Sequence, residues 1–136
     1  HTIGLYYLEL EDNDSAEANF NKEVAIAEEE MSVIDEKEFA EAFIRKIKEN
    51  DNDYRIPHDI IEWQSRLTVA YEHLCELNLE KYVEEYIEQL IALAMMQFVN
   101  NKYKACGETL CEAARISEGQ EKYEELRSFV KKLENN

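Results

Sequence analysis

Hydrophobic residues recur every three or four positions along most of the chain, which is the spacing of one face of an α-helix. Short polar stretches interrupt this pattern and divide it into seven segments. We therefore predict seven helices, at about residues 2–10, 15–30, 36–49, 59–77, 79–99, 103–116 and 123–133. Because the connections are short, neighbouring helices are expected to pack antiparallel.

Two of the apolar stripes are predicted to face the core through four residues each. In helix 15–30 these residues are Ala16, Phe20, Val24 and Ala27. In helix 36–49 they are Phe39, Phe43, Ile44 and Ile47.

The polar breaks carry residues that begin or end helices. Asp35 followed by Glu38 has the form of a capping box, and Asp59 is expected to cap the helix that follows it. Asn78 interrupts two long apolar stripes with a single polar position. The helices on either side of Asn78 are therefore expected to form an antiparallel hairpin.

The composition supports an all-α fold. The chain has 3 Gly and 1 Pro in 136 residues, whereas average usage is roughly 7% Gly and 5% Pro. So few turn-forming residues exclude a protein rich in β-hairpins. The length fits a single domain over residues 1–136. Because the chain starts at His1 with a helical pattern already under way, we expect it to be part of a longer protein.

The formal net charge is −16, and residues 1–40 carry 12 acidic and 2 basic residues, a net −10. Such a field repels nucleic acid and disfavours anionic membranes. We therefore expect a protein or peptide partner, and a basic partner would suit the N-terminal half. Most acidic residues are expected simply to cover solvent-facing surfaces.

The cysteines indicate a reducing compartment. Cys75, Cys106 and Cys111 are odd in number and lie within helical patterns. This is typical of reduced thiols in a cytoplasmic protein and not of a disulfide framework.

No metal or other cofactor is expected. Four acidic residues have the spacing of a calcium-binding loop, namely Asp51, Asp53, Asp59 and Glu62. However, Arg55 occupies a position where a ligand is needed, and Ile56 one where the loop needs Gly. No zinc, nucleotide or hydrolase motif is present.

Four residues near the N-terminus have the offsets of a tetratricopeptide repeat, with a small residue and a Tyr in one helix and an Ala and an aromatic residue in the next. They are Gly4, Tyr7, Ala16 and Phe20. This unit resembles the repeat closely, although the second helix has Glu23 where the family has Ala. Weaker versions of the pattern follow at Ala70, Tyr82 and Tyr86, and again at Ala94, Tyr103, Cys106, Leu110 and Ala113.

The resemblance implies antiparallel helical hairpins stacked as a short, right-handed α-solenoid. A compact helical bundle is the alternative fold. In their general character, and not in any single motif, the degenerate repeats also look like the peptide-sensing domains of bacterial transcription regulators and the Rap-type phosphatase regulators. The implied function is a non-catalytic protein- or peptide-binding module, with a sensing domain of such a regulator as the alternative. A helical enzyme using carboxylates is a third hypothesis.

The resemblance also implies which residues contact a bound segment. If residues 63–77 form the first helix of a repeat, four side chains face the concave surface, and two follow in the next unit. These are Gln64, Leu67, Tyr71, Leu74, Met95 and Phe98. Tyr71 is accordingly expected to contact the partner, and Trp63 to lie in the core. No catalytic residue is expected, and the oligomeric state is left open.

Overall fold

The computed structural model describes residues 13–134, with side chains for residues 13–132. This part of the chain forms six α-helices and one short 3-10 helix, and it contains no β-strand. The helices are α1 (Asn13–Met31), α2 (Glu36–Glu49), α3 (His58–Leu77), α4 (Leu79–Val99), α5 (Tyr103–Ile116) and α6 (Glu124–Glu134), with the 3-10 helix at Glu121–Tyr123. The all-α prediction is confirmed here. The predicted helix 2–10, with Gly4 and Tyr7, lies outside the described residues.

Local side chains and backbone conformations set most helix ends. Asp35 Oδ1 accepts hydrogen bonds from the backbone N–H groups of Lys37 and Glu38, both at 3.1 Å, which confirms the predicted cap. α2 is followed by Asn50 and α5 by Gly119 three residues on, and both residues have the positive φ that often follows the last helical turn. Residues in or next to the polar breaks therefore determine these helix ends.

The prediction that Asp59 caps α3 is wrong. The helix begins at His58, and Pro57 occupies the capping position without a side-chain hydrogen bond. Proline is tolerated at a helix start because the first backbone N–H groups have no partner within the helix. The fixed φ of Pro57 therefore favours the start of α3, although no side chain accepts a hydrogen bond there.

Asn78 is the only residue between α3 and α4. It ends the first helix, and its Oδ1 accepts a hydrogen bond from the Lys81 N–H at 3.2 Å to begin the second. Gln64 contacts Gln89 while Glu72 contacts Tyr86, so the two helices run antiparallel. The predicted hairpin at Asn78 is confirmed.

The order of packing differs from the order along the chain. α3 packs against both α1 and α4, α4 packs against α5, and α5 contacts α6. The expectation that neighbouring helices pack antiparallel fails between α1 and α2, because among the described helices the main partner of α1 is α3. The reason is that the buried stripe of α1 fits against α3, where Phe20 stacks on His73 with ring centroids 5.0 Å apart.

Within residues 13–132, three clusters of buried side chains form the core. The first joins α1, α3 and the start of α4, and it contains all four residues predicted for α1: Ala16, Phe20, Val24, Ala27, Leu67, Ala70, Leu74 and Tyr82. The second lies at the opposite end of the α3–α4 hairpin and consists of Ile56, Ile60, Ile61, Leu93, Met96 and Val99. The third joins α4 and α5 through Tyr86, Leu90 and Ala113.

α2 covers the second cluster with only one face. Phe39 and Phe43 pack against this cluster. Ile44 and Ile47 were also predicted to be buried, but they are 49% and 59% exposed. Among the described helices, α2 packs mainly against α4. Because it packs along one line, the rest of its apolar stripe is exposed to solvent.

The segment between α2 and α3 is fixed to the end of α4 by a side-chain clamp. Asn100 Oδ1 accepts a hydrogen bond from the Ile56 N–H, and Asn100 Nδ2 donates one to the Ile56 carbonyl oxygen, both at 2.8 Å. The Lys46 ammonium donates to the amide oxygens of Asn52 and Asn101. α2 packs closely against few other helices, but these polar side chains hold it at the end of α4.

Candidate functional site

A first groove lies between α1 and α3. It has a volume of about 470 Å³, and the described residues that line it are Glu23, Ile26, Trp63, Ser65, Arg66 and Val69. Ile26 and Val69 are 52% and 38% exposed. The Arg66 guanidinium carbon lies 4.7 Å from the centroid of the Trp63 ring. The groove therefore presents apolar side chains beside a tryptophan–arginine pair, and these two residue types often dominate binding energy at interfaces.

A second groove lies between α3 and α5, with α4 beneath it. Its volume is about 420 Å³. The described lining consists of Ser65, Thr68, Val69 and Glu72 from α3, Tyr86, Leu90, Leu93 and Gln97 from α4, and Ala105, Glu108, Thr109 and Glu112 from α5. α4 thus forms the floor, while α3 and α5 form the two walls.

The two grooves are parts of one surface. Ser65 and Val69 line both of them, because they lie on the ridge of α3 that separates the grooves. The face formed by α1, α3 and α5 is therefore continuous, and Val69 lies near its centre. We call it the α3 face.

Carboxylates from both walls converge at one end of the second groove. Glu72 Oε2 accepts a hydrogen bond from the Tyr86 hydroxyl at 3.1 Å. Burial raises the pKa of Tyr86, and the negative charges of Glu72 and then Glu112 raise it further. The tyrosine hydroxyl thus stays protonated and donates at the acidic end of the groove.

A buried polar network beneath this face aligns α3 with α4. Gln64 Nε2 donates to Gln89 Oε1 at 2.9 Å, and Thr68 Oγ1 donates to the Gln64 carbonyl oxygen at 2.8 Å. Buried amides are stable when they are hydrogen-bonded in this way. The network fixes the positions of Ser65 and Val69, which are neighbours of these residues on α3.

The structure does not gather the six predicted contact residues into a groove. Gln64, Leu67 and Leu74 are only 1%, 3% and 0% exposed and belong to the interior. Tyr71 is half-buried and packs against the first and third core clusters. Because α1 and α4 cover this side of α3, the open side is offset from the predicted one.

Trp63 and Tyr71 do not differ in burial as expected. Both are half-buried and pack against the first core cluster. Trp63 also lines the first groove, while the Tyr71 ring lies 6.4 Å from the ring of Tyr82. The apolar residue that marks the open side is Val69, which sequence reasoning missed. The sequence did carry a signal for Val69: it is an apolar residue outside the main apolar stripe of α3, which contains Leu67 and Leu74.

Met95 and Phe98 lie apart from both grooves. Both are half-buried, and the Phe98 ring contacts the rings of Phe43 and Tyr103 at centroid distances of 5.5 and 5.7 Å. The Lys46 ammonium lies 5.3 Å from the centroid of Phe98. Phe98 therefore joins α2 and α5 to the end of α4.

Reactive chemistry is sparse in the described part of the chain. Cys75, Cys106 and Cys111 form no disulfide. Burial, followed by the charges of Glu72 and Glu76, raises the pKa of Cys75 to about 11, so its thiol is a poor nucleophile. Residues 13–134 contain no group of three or more His, Cys, Asp or Glu side chains that could hold a metal ion. None of their helices is long and apolar enough to cross a membrane.

Comparison with known proteins finds no matching family model, curated protein or solved structure. The geometry of the α3 face is therefore the basis for a functional proposal.

Proposed function

We propose that this protein is a non-catalytic module that binds a segment of another protein, or a peptide, on its α3 face. The observation that carries the proposal is that the two grooves adjoin each other at Ser65 and Val69, which line both. Exposed apolar side chains next to polar rims are the usual composition of such recognition sites. Apolar groups of the partner would be anchored at Ile26, Trp63 and Val69.

We also propose that the helices form a short, irregular solenoid of the tetratricopeptide type. Support comes from three consecutive contacts along the chain, α3 with α4, α4 with α5 and α5 with α6. Ala16 and Phe20, two residues of the repeat pattern, are fully buried, as a close helix crossing requires. The pairing of α1 with α3 departs from a regular repeat, in which consecutive helices pack. The lack of a disulfide among the cysteines supports a reducing compartment such as the cytoplasm.

The experiment is selection of random 12-residue peptides by phage display, followed by measurement of the Kd of the selected peptides. Val69→Asp places a charge on the ridge between the grooves, and we expect it to raise the Kd at least about tenfold. Val33→Asp is the matched control, because Val33 is 75% exposed and lies outside both grooves. Circular dichroism checks that both variants fold.

Two results would overturn the proposal. One is the absence of any enriched peptide. The other is a set of peptides whose affinity falls equally with Val69→Asp and Val33→Asp, since such peptides would bind away from the α3 face.

A further inference from the structure

The second groove has charged walls and an apolar floor. Leu90 and Leu93 lie at the bottom of the groove. Val69 lies at one edge, and it is 38% exposed. Among the described lining residues, three are acidic and none is basic; the acidic ones are Glu72, Glu108 and Glu112. A bound segment would therefore meet apolar surface below and negative charge on both sides.

The dimensions of the groove suit one face of a short helix. Its floor extends from Tyr86 to Gln97 on α4, a length of about 16 Å or three helical turns at 1.5 Å per residue. α3 and α5 both pack on α4 and leave a channel between them that follows the α4 axis. Three turns of an amphipathic helix would offer apolar anchors at positions i, i+4 and i+7.

The α5 wall already carries a cation. Arg115 Nε lies 3.3 Å from Glu112 Oε2, although the Arg115 side chain is 66% exposed. The pair is local to α5, since Arg115 follows Glu112 by three residues, and a cation of the partner would share the Glu112 carboxylate with it. The net charge of the whole chain, −16, would in addition speed the approach of a basic partner.

We propose that the groove between α3 and α5 binds a basic amphipathic helix of a partner protein, with its apolar face on Val69, Leu90 and Leu93 and its Lys or Arg residues against Glu72, Glu108 and Glu112. This inference rests on the proposed function and specifies the partner class for one of the two grooves.

The test uses three fluorescein-labelled 14-residue peptides with the same helical pattern of leucines. Their polar positions are all Lys, all Gln or all Glu. Fluorescence anisotropy should show binding of the Lys peptide, at least about tenfold weaker binding of the Gln peptide and none of the Glu peptide. Affinity for the Lys peptide should fall as salt is raised, because its contacts are exposed ion pairs.

Two triple variants separate groove binding from attraction to the overall charge. The first is Glu72→Gln, Glu108→Gln and Glu112→Gln; the second is Glu36→Gln, Glu41→Gln and Glu49→Gln on the exposed surface of α2. Both remove three negative charges. The groove variant should raise the Kd of the Lys peptide about tenfold, and the α2 variant less than twofold.

Equal losses in the two variants would overturn the inference, because the peptide would then respond only to net charge. Failure of the Lys peptide to bind would also overturn it. If phage-selected peptides still bound and responded to Val69→Asp in that case, the proposed function would stand without the basic helix. If no peptide of either kind bound, both would fall.

Discussion

At the scale of single residues, Gln64 shows what a sequence pattern cannot distinguish. Its register on α3 matches a partner-contacting position, and glutamine is usually a surface residue. In the structure it is 1% exposed, because Gln89 and Thr68 satisfy its hydrogen bonds. Gln89 lies 25 positions away in the sequence. Nothing local to Gln64 indicates this partner, so the sequence could not show that the amide is buried.

Ala16 is a residue whose role could be predicted from the sequence. It is fully buried in the first core cluster, where α1 packs against α3. Ala16→Leu should lower the free energy of unfolding by about 1–3 kcal/mol through overpacking. Urea denaturation measures the change, with Ala25→Leu as control because Ala25 is exposed on the same helix. Equal midpoints for the two variants would show that the crossing has room for a larger side chain.

Tyr123 should make stability depend on pH in the alkaline range. Its hydroxyl donates to Glu88 Oε1 at 2.8 Å, and burial followed by this hydrogen bond raises the pKa of Tyr123 to about 12. The unfolded chain has a tyrosine pKa of about 10. Because the native pKa is the higher one, the contribution to stability is full below about pH 10 and is lost as the pH rises toward about 12.

Tyr123→Phe keeps the ring and removes the titrating group. The free energy of unfolding should therefore decline less steeply above about pH 9 in this variant than in the natural protein. Urea titrations at a series of pH values compare the two slopes. Parallel slopes would mean that Tyr123 titrates alike in the folded and unfolded chains.

At the scale of helices, the sequence predicted bounds better than partners. α4 spans Leu79–Val99 as predicted, because Asn78 and Asn100 mark its ends locally. The pairing of α1 with α3 depends on residues more than 40 positions apart, such as Phe20 and His73. Periodicity indicates which face of a helix is apolar but does not indicate which other helix covers it. This is why Ile44 and Ile47 were assigned to the core and are exposed.

The clamp between Asn100 and the Ile56 backbone should be important for joining the α2–α3 segment to α4. Asn100→Asp keeps one acceptor but loses the donor, and it places negative charge beside the Ile56 carbonyl oxygen. Asn100→Ala loses both hydrogen bonds. We expect each variant to lose roughly 1–3 kcal/mol of unfolding free energy, with the Asp variant affected at least as much near neutral pH.

Thermal or urea unfolding of the two Asn100 variants provides the measurement. Protonation of the new carboxyl group restores a neutral side chain, so the Asp variant should recover part of its loss at about pH 4 relative to the Ala variant. A carboxylate variant as stable as the natural protein would show that the clamp contributes little.

At the scale of the whole molecule, the candidate site comes from the arrangement of α1, α3 and α5 around α4. The sequence analysis placed most of the expected contact residues on α3, and residues of α3 line both grooves. The sequence did not show which side of α3 is open to a partner, because the position of Val69 between two grooves depends on where α1 and α5 pack. The acidic composition was visible from the start. Only the fold shows that Glu72 and Glu112, 40 positions apart, flank the same groove.

The attachment of α2 has a consequence for hydrogen exchange. α2 is held at one end of α4 by the hydrogen bond from Lys46 to Asn101 and by the second core cluster, while α3 and α4 pack along their lengths. Segments with fewer packed neighbours open at lower free energy than the global transition. The amide protons of α2 should therefore exchange with deuterium earlier than those of α3 and α4, which mass spectrometry of peptic fragments would resolve. Uniform protection across the three helices would instead mean that the molecule opens as one cooperative unit.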